Sequence, residues 1–113
     1  MESLKIIAPL PGAVVPWRQT VIVHTTPVEV PFMLYVFQND GVWHRQPVPE
    51  FRGRLTPNQG MYEQRCYFGE EGTDVGKDYA VVAVLSHHEL PPILESLLPL
   101  GTAFSNIVSV TRK

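Results

Sequence analysis

A chain of 113 residues makes one domain, and folded chains of this size bury roughly two-thirds of their unfolded surface, enough for a core without metals or disulfides. Nine basic and eleven acidic residues leave a formal net charge of −2, which excludes the clustered Lys and Arg that phosphate backbones require, and with it a nucleic-acid partner. Hydrophobic residues make up 44% and charged residues 18%, so little charge is available to cover the outside and some apolar surface stays exposed.

The eleven prolines set the organisation of the chain. Each removes a backbone donor and fixes φ, so long helices are excluded almost everywhere. Between the prolines lie short runs rich in Val, Ile, Tyr and Phe, the composition of strands. In chain order these predict strands at Leu4–Ala8, Thr20–Thr25, Phe32–Gln38, Val42–Gln46, Met61–Phe68, Asp78–Ser86 and Asn106–Thr111. Short strands separated by turn residues, with no strand–helix–strand alternation, predict an all-β, two-sheet antiparallel sandwich of about seven strands.

Asn39-Asp40-Gly41 joins two apolar runs as a tight hairpin, because these residues tolerate positive φ. A three-residue loop sets Phe37 opposite Trp43 and Tyr35 opposite Arg45; a two-residue loop sets Trp43 against Gln38. Arg52 to Gly60 reads as irregular loop. Leu90, Ile93, Leu94, Leu97 and Leu98 recur at helical spacing, predicting one short helix near residues 90–98 that covers an end of the core. Pro91 and Pro92 fit only in its first turn.

Asp74-Val75-Gly76-Lys77-Asp78-Tyr79-Ala80-Val81 resembles the turn into strand F of immunoglobulin-like domains, whose pattern is Asp-x-Gly-x-Tyr-x-Cys. One extra residue separates Gly76 from Tyr79, and Val81 stands in the cysteine's place. The opening, Lys5-Ile6-Ile7-Ala8-Pro9, Gly12-Ala13-Val14 and Val21-Ile22-Val23, and the closing Asn106–Thr111 run are similar to the first, second and last strands of bacterial immunoglobulin-like and fibronectin-type accessory modules. The resemblance implies an Ig-like sandwich, a tyrosine corner at Tyr79, and an inter-sheet space filled by Val81 and Val23 without a disulfide. It speaks to fold far more than to function, since such sandwiches host unrelated activities.

Catalytic parts are hard to find. Cys66 is the single cysteine; it excludes an intramolecular disulfide, suits a reducing compartment and reads as a small buried hydrophobe. His24, His44, His87 and His88 lack zinc-ligand spacing, and adjacent His87 and His88 point to opposite sides of a strand. Glu70, Glu71, Asp74 and Asp78 lack the alternating spacing of a calcium loop, so no metal or cofactor is expected. Glu50, Glu63 and Asp40 are present without any sign of a facing pair, and Ser86-His87 is neither a nucleophile elbow nor part of a triad. The N-terminus lacks a basic region followed by an apolar run, so no secretory signal is expected in this chain, and no apolar stretch is long enough to span a membrane.

The informative feature is a pair of strands that are apolar on both faces. Phe32, Leu34 and Val36 point one way, and Met33, Tyr35 and Phe37 the other; Tyr79, Val81, Ala83 and Leu85 likewise oppose Ala80, Val82 and Val84. A sandwich buries only one face of each strand between its sheets. The other face is covered by the Glu89–Leu98 segment, by a second copy or another domain, or by nothing. Tyr35, Phe37, Trp43 and Arg45 are therefore the candidate binding residues. The leading expectation is a non-catalytic module that contacts a protein partner or itself. The alternative is a carbohydrate-binding module in which Trp43 and Tyr35 stack on sugar rings beside Gln38 or Asn39.

Overall fold

In the computed structural model, residues 2–27, 30–47, 53–56, 60–70, 72, 75–87, 89–96 and 104–113 are described, with the backbone alone for 53–56. Among the described residues ten strands form two sheets: β1 (Ser3–Ala8), β2 (Val14–Val15), β3 (Arg18–Thr26), β4 (Phe32–Phe37), β5 (Trp43–Arg45), β6 (Gly53–Thr56), β7 (Met61–Tyr67), β8 (Asp78–Leu85), β9 (Ile93–Leu94) and β10 (Val108–Arg112). One sheet has four strands in the order β1-β3-β7-β6, and the other six in the order β2-β10-β8-β4-β5-β9. All pairings are antiparallel except β2 with β10.

The predicted strands are all present to within a residue or two at their ends, because period-two alternation locates a strand that packs on a core. β8 shows the rule: Tyr79, Val81 and Ala83 point between the sheets, where they meet Val21 and Val23 of β3, Leu34 and Val36 of β4, Cys66, Phe68, Val108 and Val110. Val23 and Val81 are both fully buried, so the inter-sheet space closes by packing alone. Phe68 lies edge-on to Tyr79 with ring centroids 6.0 Å apart, a favoured geometry for aromatic pairs.

Three strands escaped the sequence reading. β2 and β9 have two residues each, too few to show alternation, and β6 lies within the stretch read as irregular loop, of which residues 52 and 57–59 are outside the described residues. The chain leaves β1 at Pro9, turns through Gly12 and enters β2, so one N-terminal run contributes an edge to each sheet. Gly12 supplies the positive φ of 82° that this turn needs.

The short helix expected near residues 90–98 is not formed within 89–96; residues 97–98 lie outside the described residues. Instead Ile93–Leu94 pairs with β5 as β9. The reason is competition for carbonyls. The Leu90 carbonyl accepts from the Arg45 guanidinium, that of Pro91 from the Tyr35 hydroxyl, and that of Pro92 from the Arg45 amide at 2.9 Å. A helix would need those same groups for its own first turns. Leu90 and Leu94 still face the protein, but Ile93, counted on the apolar face of a helix, is 50% exposed.

Polar side chains tie the layers at their margins. Asn106 takes the Ile6 amide on Oδ1 at 2.8 Å and donates through Nδ2 to the Ile6 carbonyl at 3.3 Å, occupying the backbone edge of β1 as a neighbouring strand would. Gln46, itself buried, accepts the Tyr67 amide at 2.8 Å, and Gln64 donates to the Pro47 carbonyl at 3.0 Å. These bonds join the end of β5 to β7 across the sandwich.

Candidate functional site

The outward face of the six-stranded sheet is where the sequence placed its candidate residues, and register assembles it in rows. In β4 and β5, Phe37 pairs with Trp43, Val36 with His44 and Tyr35 with Arg45. The Gln38 amide donates to the Val42 carbonyl, so the loop is the three-residue one, Asn39-Asp40-Gly41. Across β8 the rows continue: Ala80 stands opposite Phe37 and opposite Ser109 of β10, while Val82 stands opposite Tyr35.

One part of this face is sealed from within the chain. Tyr35, Trp43, Val82 and Val84 form a second apolar cluster, against which Leu90, Leu94 and Phe104 pack. Of the three possible covers, the return segment after β8 is the one found here, though as extended chain. Tyr35 is fully buried and Trp43 is 8% exposed, so a sugar stacking on Trp43 would have to displace Leu94. Phe37 and Arg45 are half-buried. The Phe37 and Trp43 rings are tilted by 55° at 5.1 Å between centroids and present no shared flat platform.

Burial raises the Tyr35 hydroxyl above its ordinary pKa, because the phenolate would lose its hydration, and the nearby Arg45 charge offsets part of that rise. With its hydroxyl on the Pro91 carbonyl and Arg45 on that of Leu90, this pair of candidate residues anchors the covering segment.

The remainder of the face carries no such cover among the described residues. Phe37, Asp78, Tyr79, Ala80, Ser109, Val110, Thr111 and Gly12 line a groove of about 420 Å³. Small residues form its floor, since Ser109 and Ala80 are directly paired and the Gly12 amide donates to the Ser109 carbonyl at 2.7 Å. Phe37 makes one wall. At the upper end Thr111 Oγ1 donates to Asp78 Oδ1 at 2.9 Å, and Asn39 Nδ2 donates to the Tyr79 hydroxyl at 3.1 Å. That bond links the β4–β5 hairpin to β8; residues 73–74, upstream of Tyr79 where a tyrosine corner would form, are outside the described residues. Of the groove residues only Phe37 is among the candidate binding residues; Asp78 reads from the sequence as part of an acidic loop and Tyr79 as a tyrosine corner. Alternation along β8 and β10 already turned Asp78, Ala80, Ser109 and Thr111 outward, but the depth of the groove depends on which small residues pair, and that is long-range register.

The hairpin itself carries a hydrogen-bonded His–Asp pair. His44 Nε2 lies 2.7 Å from Asp40 Oδ2, and the Val42 amide donates to Oδ1 at 3.3 Å. These bonds, that of His44 foremost, hold the Asp40 carboxyl below its ordinary value of 3.8. A carboxyl lowered in the folded chain adds stability above its unfolded value, and that stability is lost as pH falls through the folded one. An NMR titration is expected to find the Asp40 midpoint below that of a free aspartate and to see it rise in His44→Ala. An unchanged midpoint in that variant would refute the assignment.

Among the described residues no three His, Cys, Asp or Glu side chains come together to hold a metal ion. His87 pairs instead with Glu2 at 2.7 Å, while His88, Glu71, Asp74, Glu50 and Arg52 lie outside the described residues. Cys66 is fully buried in the inter-sheet core. Among the described residues no helix is long and apolar enough to cross a membrane. No protein-family model matches the chain, and no curated protein matches it either.

Proposed function

We propose that this chain is an immunoglobulin-like sandwich that serves as a non-catalytic protein-interaction or accessory module, within a larger protein or an oligomer, and that its contact surface is the open part of the outer face of β10, β8 and β4. Strand order supports the fold assignment. The β1-β3-β7-β6 sheet follows the ABED order of immunoglobulin domains, and β10-β8-β4-β5 follows GFCC′. Val23 and Val81 lie in the core where such domains carry their disulfide.

The observation that carries the functional reading is the unequal cover of one sheet face. Leu90, Leu94 and Phe104 seal the part around Tyr35 and Val82, while Phe37 and Ala80 border an open groove. A groove with an apolar border of half-buried Phe37 and Ala80 beside polar Asp78, Ser109 and Thr111 gives a partner both hydrophobic contact and polar groups to meet.

A photo-crosslinking amino acid at position 80, introduced into the full-length protein in the cells that make it, is expected to give a discrete protein adduct or a crosslinked homo-oligomer. The same group at Thr20, on the other sheet, should give none. No adduct specific to position 80, together with a monomer by sedimentation at high concentration, would remove the reading.

A further inference from the structure

We infer that the groove accepts a lysine side chain displayed on an apolar segment of a partner protein, its methylene stem lying over Ala80 against Phe37 and its ammonium meeting Asp78. This rests on the contact surface proposed above and adds the chemistry of what fills it. Asp78 is the one charged side chain among the described residues lining the groove, so the complementary partner group is a cation. Neither Lys77 nor Lys113 lines it.

Three features select lysine. Asp78 and Ala80 stand two residues apart on the same face of β8, about 6.6 Å along the strand, a span suited to a flexible four-carbon stem. The floor and wall along that span are Ala80 and Phe37, apolar surface on which such a stem lies while its charged end stays in water. Finally, Asp78 Oδ1 already accepts from Thr111 Oγ1, so an arginine fork would have to share that oxygen with the hydroxyl, whereas a single ammonium can take a lone pair on either oxygen. An arginine fork is strongest when it can engage both oxygens of a carboxylate, whereas an ammonium acts as a point charge and is satisfied by one.

The test uses acetylated, amidated pentapeptides of sequence Gly-Val-X-Val-Gly, with X as lysine, norleucine or arginine, titrated into the ¹⁵N-labelled chain. The lysine peptide is expected to shift the amides of Phe37, Asp78, Ala80, Ser109 and Thr111, and to bind about fivefold more tightly than norleucine, the upper range for a solvent-accessible ion pair. Asp78→Asn should erase that difference while the rest of the spectrum is unchanged. Thr111→Val, which frees Oδ1, should raise the affinity of the arginine peptide relative to lysine. Equal binding of the lysine and norleucine peptides in the groove would overturn the lysine assignment and leave the contact surface standing. Shifts elsewhere, or no binding by any peptide, would overturn the inference itself. The crosslink at position 80 reports on the contact surface independently.

Discussion

Arg112→Ala is expected to destabilise the protein by about 3–5 kcal/mol, because two hydrogen bonds from a buried charged group are lost together with its packing. Arg112 lies in the last strand, two residues beyond Val110, so alternation turns it toward the core, and it is 3% exposed. Its Nη1 donates to the Phe68 carbonyl at 2.7 Å and Nη2 to that of Glu70 at 2.8 Å. The chain between β7 and β8 is thereby fastened to β10. Hydrogen bonds from a charged group contribute about 1.5–3 kcal/mol each, and an alanine here would take the guanidinium donor from the buried Phe68 carbonyl.

Among the described residues Nε has no partner, so the guanidinium is incompletely compensated. Arg112→Met, which fills the space without a charge, should therefore cost less than alanine. Lysine, lacking the fork, should fall between wild type and alanine. Urea denaturation followed by tryptophan fluorescence and circular dichroism measures all three. A loss under about 1 kcal/mol for alanine would mean that the guanidinium contributes no more than an ordinary hydrogen bond.

The second large effect separates two aromatic residues that stand two apart on one strand face. Tyr35→Ser is expected to cost about 3–5 kcal/mol, the range for emptying a buried aromatic site. Tyr35 is fully buried and holds the Pro91 carbonyl, so the serine would both open a void and release the segment that covers it. Tyr35→Phe keeps the ring and should cost about 1 kcal/mol, the usual net value of a hydrogen bond. Alkaline stability gives a second readout. Because burial raises the Tyr35 pKa, its contribution is complete below the ordinary value of 10.0 and is lost as pH rises through the folded one. Tyr35→Phe should therefore unfold less steeply above pH 10 than wild type.

Phe37→Ser, by contrast, should cost only about 1–2 kcal/mol, because half-burial and one aromatic neighbour leave less to lose. It should nonetheless abolish crosslinking from position 80, since Phe37 is the wall of the groove. Similar losses of stability at both positions would mean that the face carries no distinction between a sealed part and an open one.

Much of the candidate site was legible from local pattern. The run Phe32–Phe37 announced two apolar faces, Asn39-Asp40-Gly41 announced the hairpin, and the three-residue loop was one of two registers that its composition allowed. What the pattern could not do was tell buried from open. Tyr35 and Phe37 are equivalent by alternation and similar in chemistry, yet only Tyr35 is fully buried. The difference lies in Leu90, Leu94 and Phe104, which reach this face from 53 or more residues beyond Phe37 in the chain.

By itself the sequence determined an all-β chain: eleven prolines bar long helices, and alternating apolar runs define strands whose inward residues are chiefly Val, with Ile, Leu, Phe, Tyr, Ala and one cysteine. Both signals are local, because φ restriction and period-two burial act within a few residues. Tertiary structure decided the fate of residues 89–96, whose helical spacing lost to donors supplied by Tyr35 and Arg45. It also decided which carbonyls Arg112 meets, those of Phe68 and Glu70, and brought Gly12, Ser109 and Ala80 together as the groove floor. Each of those outcomes depends on which strands become neighbours, and pairing across many residues leaves no periodicity in the sequence to read.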